Sequence, residues 1–185
     1  WGNNVTPVKY GYNVFGEITD MWLYAADSST AANWNAETWP SDETAAQNTH
    51  WTYNDALGVV VSKTDAIGKT VSATYDGVGT ITAMSYPNGG SESYSYDALK
   101  RLSEITFGDN TGYSFSYDSE GNTVSVADES GASSSFAYQG GVTSLPRSET
   151  LPDGYVLERT FNPDGNIASV SLKDSDGNTV YSAGY

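Results

Sequence analysis

Tyr75, Tyr96, Tyr117 and Tyr138 stand 21 residues apart, each from the next, and the first three are followed by aspartate. Self-similarity at a fixed spacing of this length marks an array of small supersecondary units. Each unit is too small to bury its own apolar face, so its neighbours must cover it. The register extends with small slips: Tyr53 lies 22 residues before Tyr75, Tyr12 lies 41 before Tyr53, and Phe161 lies 23 after Tyr138. The array therefore fills the chain, and the function to look for is one that an extended surface performs.

Each unit opens with an alternating run that ends at the tyrosine, as in Tyr113-Ser-Phe115-Ser-Tyr117 and Ser134-Ser-Phe136-Ala-Tyr138. Successive side chains of a strand point to opposite faces, so this pattern predicts one aromatic face and one thin Ser/Ala face. After the tyrosine comes a short turn, as in Tyr75-Asp76-Gly-Val-Gly79, Tyr117-Asp118-Ser-Glu-Gly121 and Phe161-Asn-Pro-Asp-Gly165. The Asp or Asn can hydrogen-bond the backbone two residues on, and the glycine supplies the positive φ that closes the turn. An apolar residue often follows two positions after the glycine: Ile18, Val60, Ile81 and Ile167. A second turn is marked by Asn88-Gly89, Asp109-Asn110, Ser130-Gly131, Asp153-Gly154 and Asp176-Gly177, dipeptides suited to a two-residue reversal. The expectation is all-β: an antiparallel β-hairpin repeat array of about sixteen strands with a period of about 21 residues.

Tyr96-Asp97-Ala-Leu-Lys-Arg-Leu-Ser-Glu-Ile105, Thr74-Tyr-Asp-Gly-Val-Gly-Thr-Ile81 and Lys63-Thr-Asp-Ala-Ile-Gly-Lys-Thr-Val71 resemble the repeats of the Rhs, or YD-repeat, family. The resemblance covers most of the chain. It implies a spiralling β-sheet, which in large members such as Rhs toxins, insecticidal toxin complexes and teneurins winds into a hollow shell. There the shell encloses a toxic segment or presents a cell-surface scaffold, and the repeats are not catalytic. The departures are local. Lys100 stands where the turn glycine belongs, and a lysine in the left-handed region costs roughly 1 kcal/mol, which predicts another geometry for that turn. Asp is replaced by Asn at Asn13, Asn54 and Asn162 and by Gln at Gln139. The sequence carries neither the family's closing signature nor a toxin-like domain of its own.

A length of 185 residues suits one domain, here expected as a single array over 1–185 with a Trp-rich insertion at about 25–50. Eight Lys+Arg against 23 Asp+Glu leave a formal charge of −15. Such a surface repels nucleic acid and anionic membranes and favours cationic partners or divalent ions. The chain contains no cysteine, so neither disulfides nor thiol chemistry arise. The sequence holds no apolar run long enough to span a membrane and no signal peptide. It begins at Trp1 without an initiator Met, which points to a processed product or a fragment of a longer parent.

The candidate chemistry is sparse. His50 is the single histidine, too few for a His-based metal cluster, and no nucleophile has an identifiable base. Asp76, Asp97 and Asp118 recur with the repeat, so a recurrent backbone need accounts for them better than paired-carboxylate catalysis does. Asp174, Asp176 and Asn178 resemble the start of a calcium loop, but its glycine comes early and the distal Glu is missing. No cofactor is expected. Trp22, Trp34, Trp39 and Trp51 cluster in the first third, either as the aromatic core of the first hairpins or, for Trp34 and Trp39, as a sugar-stacking platform. Asn4-Val-Thr6 fits a glycosylation sequon.

The structural repeat positions are thus Tyr12, Tyr53, Tyr75, Asp76, Gly79, Tyr96, Asp97, Tyr117, Asp118, Gly121, Tyr138, Phe161 and Gly165. The reading is a non-enzymatic structural segment of a secreted or cell-surface bacterial protein, assembling through exposed strand edges into a filament or shell. Its partners would be copies of itself or flanking repeats. A glycan-binding adhesion module taking polysaccharide through Trp34 and Trp39 is the alternative.

Overall fold

A computed structural model describes residues 8–24, 46–138 and 145–185. The chain divides into two compact units, Trp1–Ser91 and Glu92–Tyr185, and every described regular element is a β-strand. The first unit holds β1 (Val8–Tyr12), β2 (Ile18–Tyr24), β3 (Ala46–Asn54), β4 (Val59–Thr64), β5 (Thr70–Tyr75) and β6 (Ile81–Ser85). Each pairs antiparallel with the next. The second holds β7 (Ser91–Tyr96, its first residue on the boundary), β8 (Leu102–Phe107), β9 (Gly112–Tyr117), β10 (Thr123–Asp128), β11 (Ser133–Tyr138), β12 (Pro146–Thr150), β13 (Val156–Phe161), β14 (Ile167–Lys173) and β15 (Thr179–Gly184). These too pair antiparallel in chain order. The insertion expected at about 25–50 falls mostly outside the described residues, as do Trp34 and Trp39. Its last part is regular, because β3 already begins at Ala46.

The left-handed positions Gly68, Gly79, Gly89, Lys100, Asn110, Gly121 and Gly131 follow one another at alternating intervals of 11 and 10 residues. The 21-residue period is their sum, one hairpin turn at each end of every strand pair. Both turns have the same build. At the YD turn the Asp76 N–H donates to Thr80 O (2.8 Å) and Gly79 N–H to Asp76 O (3.1 Å); at the other, Asp128 N–H donates to Ala132 O (3.0 Å) and Gly131 N–H to Asp128 O (3.0 Å). This is the longer hairpin in which a type I turn is followed by a left-handed residue. It replaces the two-residue reversal expected at Asn88-Gly89 and its equivalents, because the residue preceding each dipeptide takes part in the turn.

Lys100 is a second correction. Its φ is 63°, and Asp97 N–H to Arg101 O and Lys100 N–H to Asp97 O both measure 2.9 Å. The turn keeps the geometry of the glycine turns despite the strain, for a reason found at the neighbouring Arg101.

The register sorts side chains as the alternation requires. Tyr94, Ile105 and Tyr113 lie across from one another on one face, with Phe115 opposite Val126 and Leu157 opposite Leu172. On the other face Ser116 opposes Ser125, which opposes Ser135. That thin face is knitted by hydroxyl pairs, Thr64 with Thr70 (2.8 Å) and Thr160 with Ser169 (2.6 Å). Trp22 pairs with Lys9 and lays its indole over Gly11, where a Cβ would come within 3.0 Å of the ring; the Lys9 ammonium sits 4.8 Å above that ring. Among the described residues only Tyr24, 2% exposed, is fully buried.

Candidate functional site

Every YD-position residue sits at a register slip. Tyr75 pairs with Ile81 while Thr74 pairs with Ala83, which leaves Thr82 unpaired. The same step recurs at Tyr12 with Ile18, Tyr53 with Val60, Tyr96 with Leu102, Tyr117 with Thr123, Tyr138 with Pro146 and Phe161 with Ile167. A bulge leaves the local backbone out of the ladder and sharpens the twist; the residue that pairs with the YD position, next to the one left out, lies beyond the ladder to the following strand, and its carbonyl needs a donor.

The donor comes from the next repeat. Tyr53 Oη donates to Ile18 O (2.8 Å), Tyr75 Oη to Val60 O (2.8 Å), Tyr117 Oη to Leu102 O (2.7 Å) and Tyr138 Oη to Thr123 O (2.8 Å). The acceptor is always the residue two after the left-handed turn position. Val60, for example, is held by its own repeat's Tyr53 across the ladder and by the following repeat's Tyr75 hydroxyl. Phe161 keeps the place without the hydroxyl. The apolar residues noted at this position matter through their carbonyls; Ile18, Val60 and Ile167 are themselves exposed. The separation between hydroxyl and acceptor is 15 residues in three of these clasps and 35 for Tyr53 and Ile18.

Replacing Tyr117 or Tyr138 with phenylalanine removes the donor and keeps the ring, leaving a half-buried carbonyl unpaired. Each change is expected to cost about 1 kcal/mol, read as a lower midpoint in urea unfolding; unchanged midpoints in both would mean the clasp contributes nothing.

The recurrent acids serve the turn. Asp76 Oδ1 accepts from Val78 N (3.0 Å) and Thr80 N (2.8 Å), Asp97 Oδ1 from Leu99 N and Arg101 N (both 2.9 Å), and Asp118 Oδ1 from Asn122 N (2.7 Å). Asn13 and Asn162 do the same with their amide oxygens. Gly79, Gly121 and Gly165 take the left-handed position at φ 86°, 93° and 82°. Asp174 also follows the pattern, accepting from Asp176 N (3.0 Å) and Asn178 N (2.8 Å), so the calcium-like run is a hairpin tip. No group of three potential metal ligands occurs among the described residues. His50 bonds across the strands to Asp20 (2.8 Å), which also accepts from Asn48 Nδ2 (3.3 Å).

At the departing turn Arg101 holds three things. Its Nε donates to Asp97 Oδ2 (2.7 Å) and its Nη1 to Asp118 O (3.0 Å), and the guanidinium lies 4.5 Å from the Tyr117 ring centroid. One YD turn is thereby tied to the next, an interaction that offsets the strain at Lys100.

These bonds shift the carboxylates. The Arg101 backbone N–H, with its guanidinium, holds Asp97 below the usual range; the Asn122 side chain does so for Asp118. At Asp20 burial pushes upward, but hydrogen bonds from His50, Thr19 and Asn48 outweigh it. A depressed folded-state pKa means the unfolded chain binds more protons, so the contribution is present above the ordinary aspartate value, about 3.9, and lost as pH falls through the lower folded values. Replacing Asp97 and Asp118 together with Asn keeps the turn acceptor and removes the titration. The double variant is expected to lose less stability than the parent chain below about pH 4 in acid titrations followed by circular dichroism. Identical acid midpoints would overturn that assignment.

Residues 27–172 match the family model for the teneurin YD-shell. The chain belongs to the teneurin YD-shell family. Among solved structures, this YD-shell chain resembles that of TcdB2-TccC3-TEV, with 15% identity, a TM-score of 0.51, and coverage of 94% of this chain and 11% of the other. It also resembles the Photorhabdus luminescens Tc holotoxin pore carrying a TccC3 mutation, with 16% identity, a TM-score of 0.51, and coverage of 91% and 11%. The likeness is one of fold, and the YD-shell chain spans about a ninth of their length. No curated protein matches the sequence. Among the described residues no helix is long and apolar enough to cross a membrane.

Proposed function

We propose that this YD-shell chain is a non-catalytic wall segment of a secreted or cell-surface repeat protein, its strand edges taking further strands from flanking repeats or from copies of itself. The observation that carries this reading is the clasp, in which the hydroxyls of Tyr53, Tyr75, Tyr117 and Tyr138 each secure a backbone carbonyl beside the bulge of the repeat before. The recurrent tyrosine of the repeat thereby serves to continue the sheet. The acids at the turns are engaged by their own backbone, which suits a cap and leaves no poised acid–base pair. Relatives that join TcdB2 to TccC3 are in keeping with a segment that works inside a larger assembly.

In an array of this kind stability grows with the number of neighbour contacts. Duplicating residues 97–117 in place is therefore expected to raise the melting temperature and keep one cooperative transition, because the added repeat brings a turn, a bulge and a clasp that its neighbours can use. A duplication that lowers the melting temperature or splits the transition would count against a wall built from interchangeable repeats.

A further inference from the structure

The position two residues before the YD aromatic carries a large planar group in nearly every repeat: Tyr10, Trp51, Tyr94, Phe115, Phe136 and the guanidinium of Arg159. Ala73 is the exception. The ladder gives this position a constant place on the aromatic face, with Tyr94 opposite Ile105, Phe115 opposite Val126 and Arg159 opposite Val170. Ala73 opposes Met84 in the same register, so a single methyl stands where its counterparts set a ring.

The neighbours do not close the gap. A cavity of about 190 Å³ opens beside Ala73, walled by Val60, Val71, Ile81 and Met84. An apolar cavity of about 150 Å³ holds a benzene ring, so this one has room for a ring with a short substituent. The Met84 thioether adapts to an aromatic edge, and the Tyr75 hydroxyl is committed to Val60 O (2.8 Å), which fixes that wall. Lys63 is the one charged side chain among the described residues of the lining. It pairs with Val71 on one side and with Trp51 on the other, and its exposed ammonium lies 5.7 Å from the Trp51 ring centroid. A cation therefore stands at the rim of a ring-sized apolar cavity. That pairing suits an anionic group one or two bonds from an aromatic ring.

We propose that the gap at Ala73 is a binding site for a small aromatic carboxylate, its ring in the place of the missing side chain and its carboxylate toward Lys63. The site is independent of the wall reading, since a wall segment without it remains a wall segment. Phenylacetate titrated into the 185-residue chain, followed by the methyl resonances, is the test. Saturable shifts are expected at Val71, Ile81 and Met84 with a Kd on the order of 1 mM for so small a ligand. Val126 should not move, because Phe115 fills the equivalent place in its repeat. Phenylacetamide, which keeps the shape and lacks the charge, is expected to bind about two- to fivefold more weakly, the worth of an exposed ion pair. Lys63→Gln should weaken phenylacetate by the same factor and leave phenylacetamide unchanged. Ala73→Phe supplies the ring covalently and is expected to raise the melting temperature and abolish binding, with Ala73→Leu serving if the larger side chain disturbs the fold. Absence of saturable shifts, or binding that survives in a folded Ala73→Phe or Ala73→Leu variant, would overturn the site. Equal affinity for the two ligands would overturn the carboxylate and leave a site for a neutral ring.

Discussion

Gly112→Ala is expected to be the most damaging single methyl that can be added to a strand of this array. A Cβ at Gly112 would lie 2.2 Å from Ile105 O and 3.1 Å from Thr106 Cα. Both are backbone atoms of β8, the strand to which Gly112 pairs at Thr106, so neither can rotate aside. Relief requires moving β8 from β9, which disrupts the three residue pairs joining them and pulls at the Tyr117 clasp on Leu102. The cost is about 3 kcal/mol or more, the upper end for overpacking. Gly121 is the control. Its added Cβ would meet nothing within 4 Å, so Gly121→Ala carries only the penalty of φ 93°, about 1 to 2 kcal/mol. Urea unfolding of the two variants orders them; if Gly112→Ala is no worse than Gly121→Ala, the close approach of β8 and β9 is wrong.

Removing residues 97–117, one whole repeat, is expected to leave a cooperatively folded chain, whereas removing residues 97–106 is not. The whole-repeat deletion joins Tyr96 directly to Asp118. The tyrosine, its turn and the Tyr138 clasp on Thr123 all survive, and each later strand keeps its direction. The half deletion takes away β8 up to Thr106, and with it the Leu102 carbonyl that Tyr117 needs. It also brings β9 beside β7, strands that run the same way, so β9 and everything after it must reverse to remain antiparallel. All later YD turns would then move to the opposite end of the strands, and their clasps would face the wrong neighbour. Thermal melts followed by circular dichroism separate the two. Equal loss of structure would defeat the repeat as the unit of folding.

What could be read from the sequence was whatever repeats locally. The Tyr/Ser alternation specified the two faces, and Asp76, Asp97 and Asp118 specified a turn cap, because strand parity and turn chemistry act over a few residues. The clasp was not legible from any single repeat, since its acceptor lies in the previous one and is a backbone atom that no residue type advertises. Lys100 misled for a related reason. Its strain is a local quantity, whereas its compensation by Arg101 reaches Asp118 and Tyr117 in the next repeat. The dipeptides at Asn88-Gly89 and Ser130-Gly131 located their turns correctly but gave the wrong length, because an Asn-Gly or Ser-Gly pair can end a longer hairpin as readily as form a short one.

The near absence of fully buried side chains among the described residues bears on how the strands respond to temperature. With only Tyr24 fully buried among the described residues, unfolding exposes less apolar surface per residue than it does in a domain with a dry interior. The heat-capacity increment should therefore fall below the usual 12–15 cal/mol/K per residue, at about the level expected when polar exposure offsets much of the apolar gain. A small increment flattens the dependence of free energy on temperature. The folded strands then lose stability slowly on cooling as well as on heating, so the working temperature range is wide relative to the stability at its maximum.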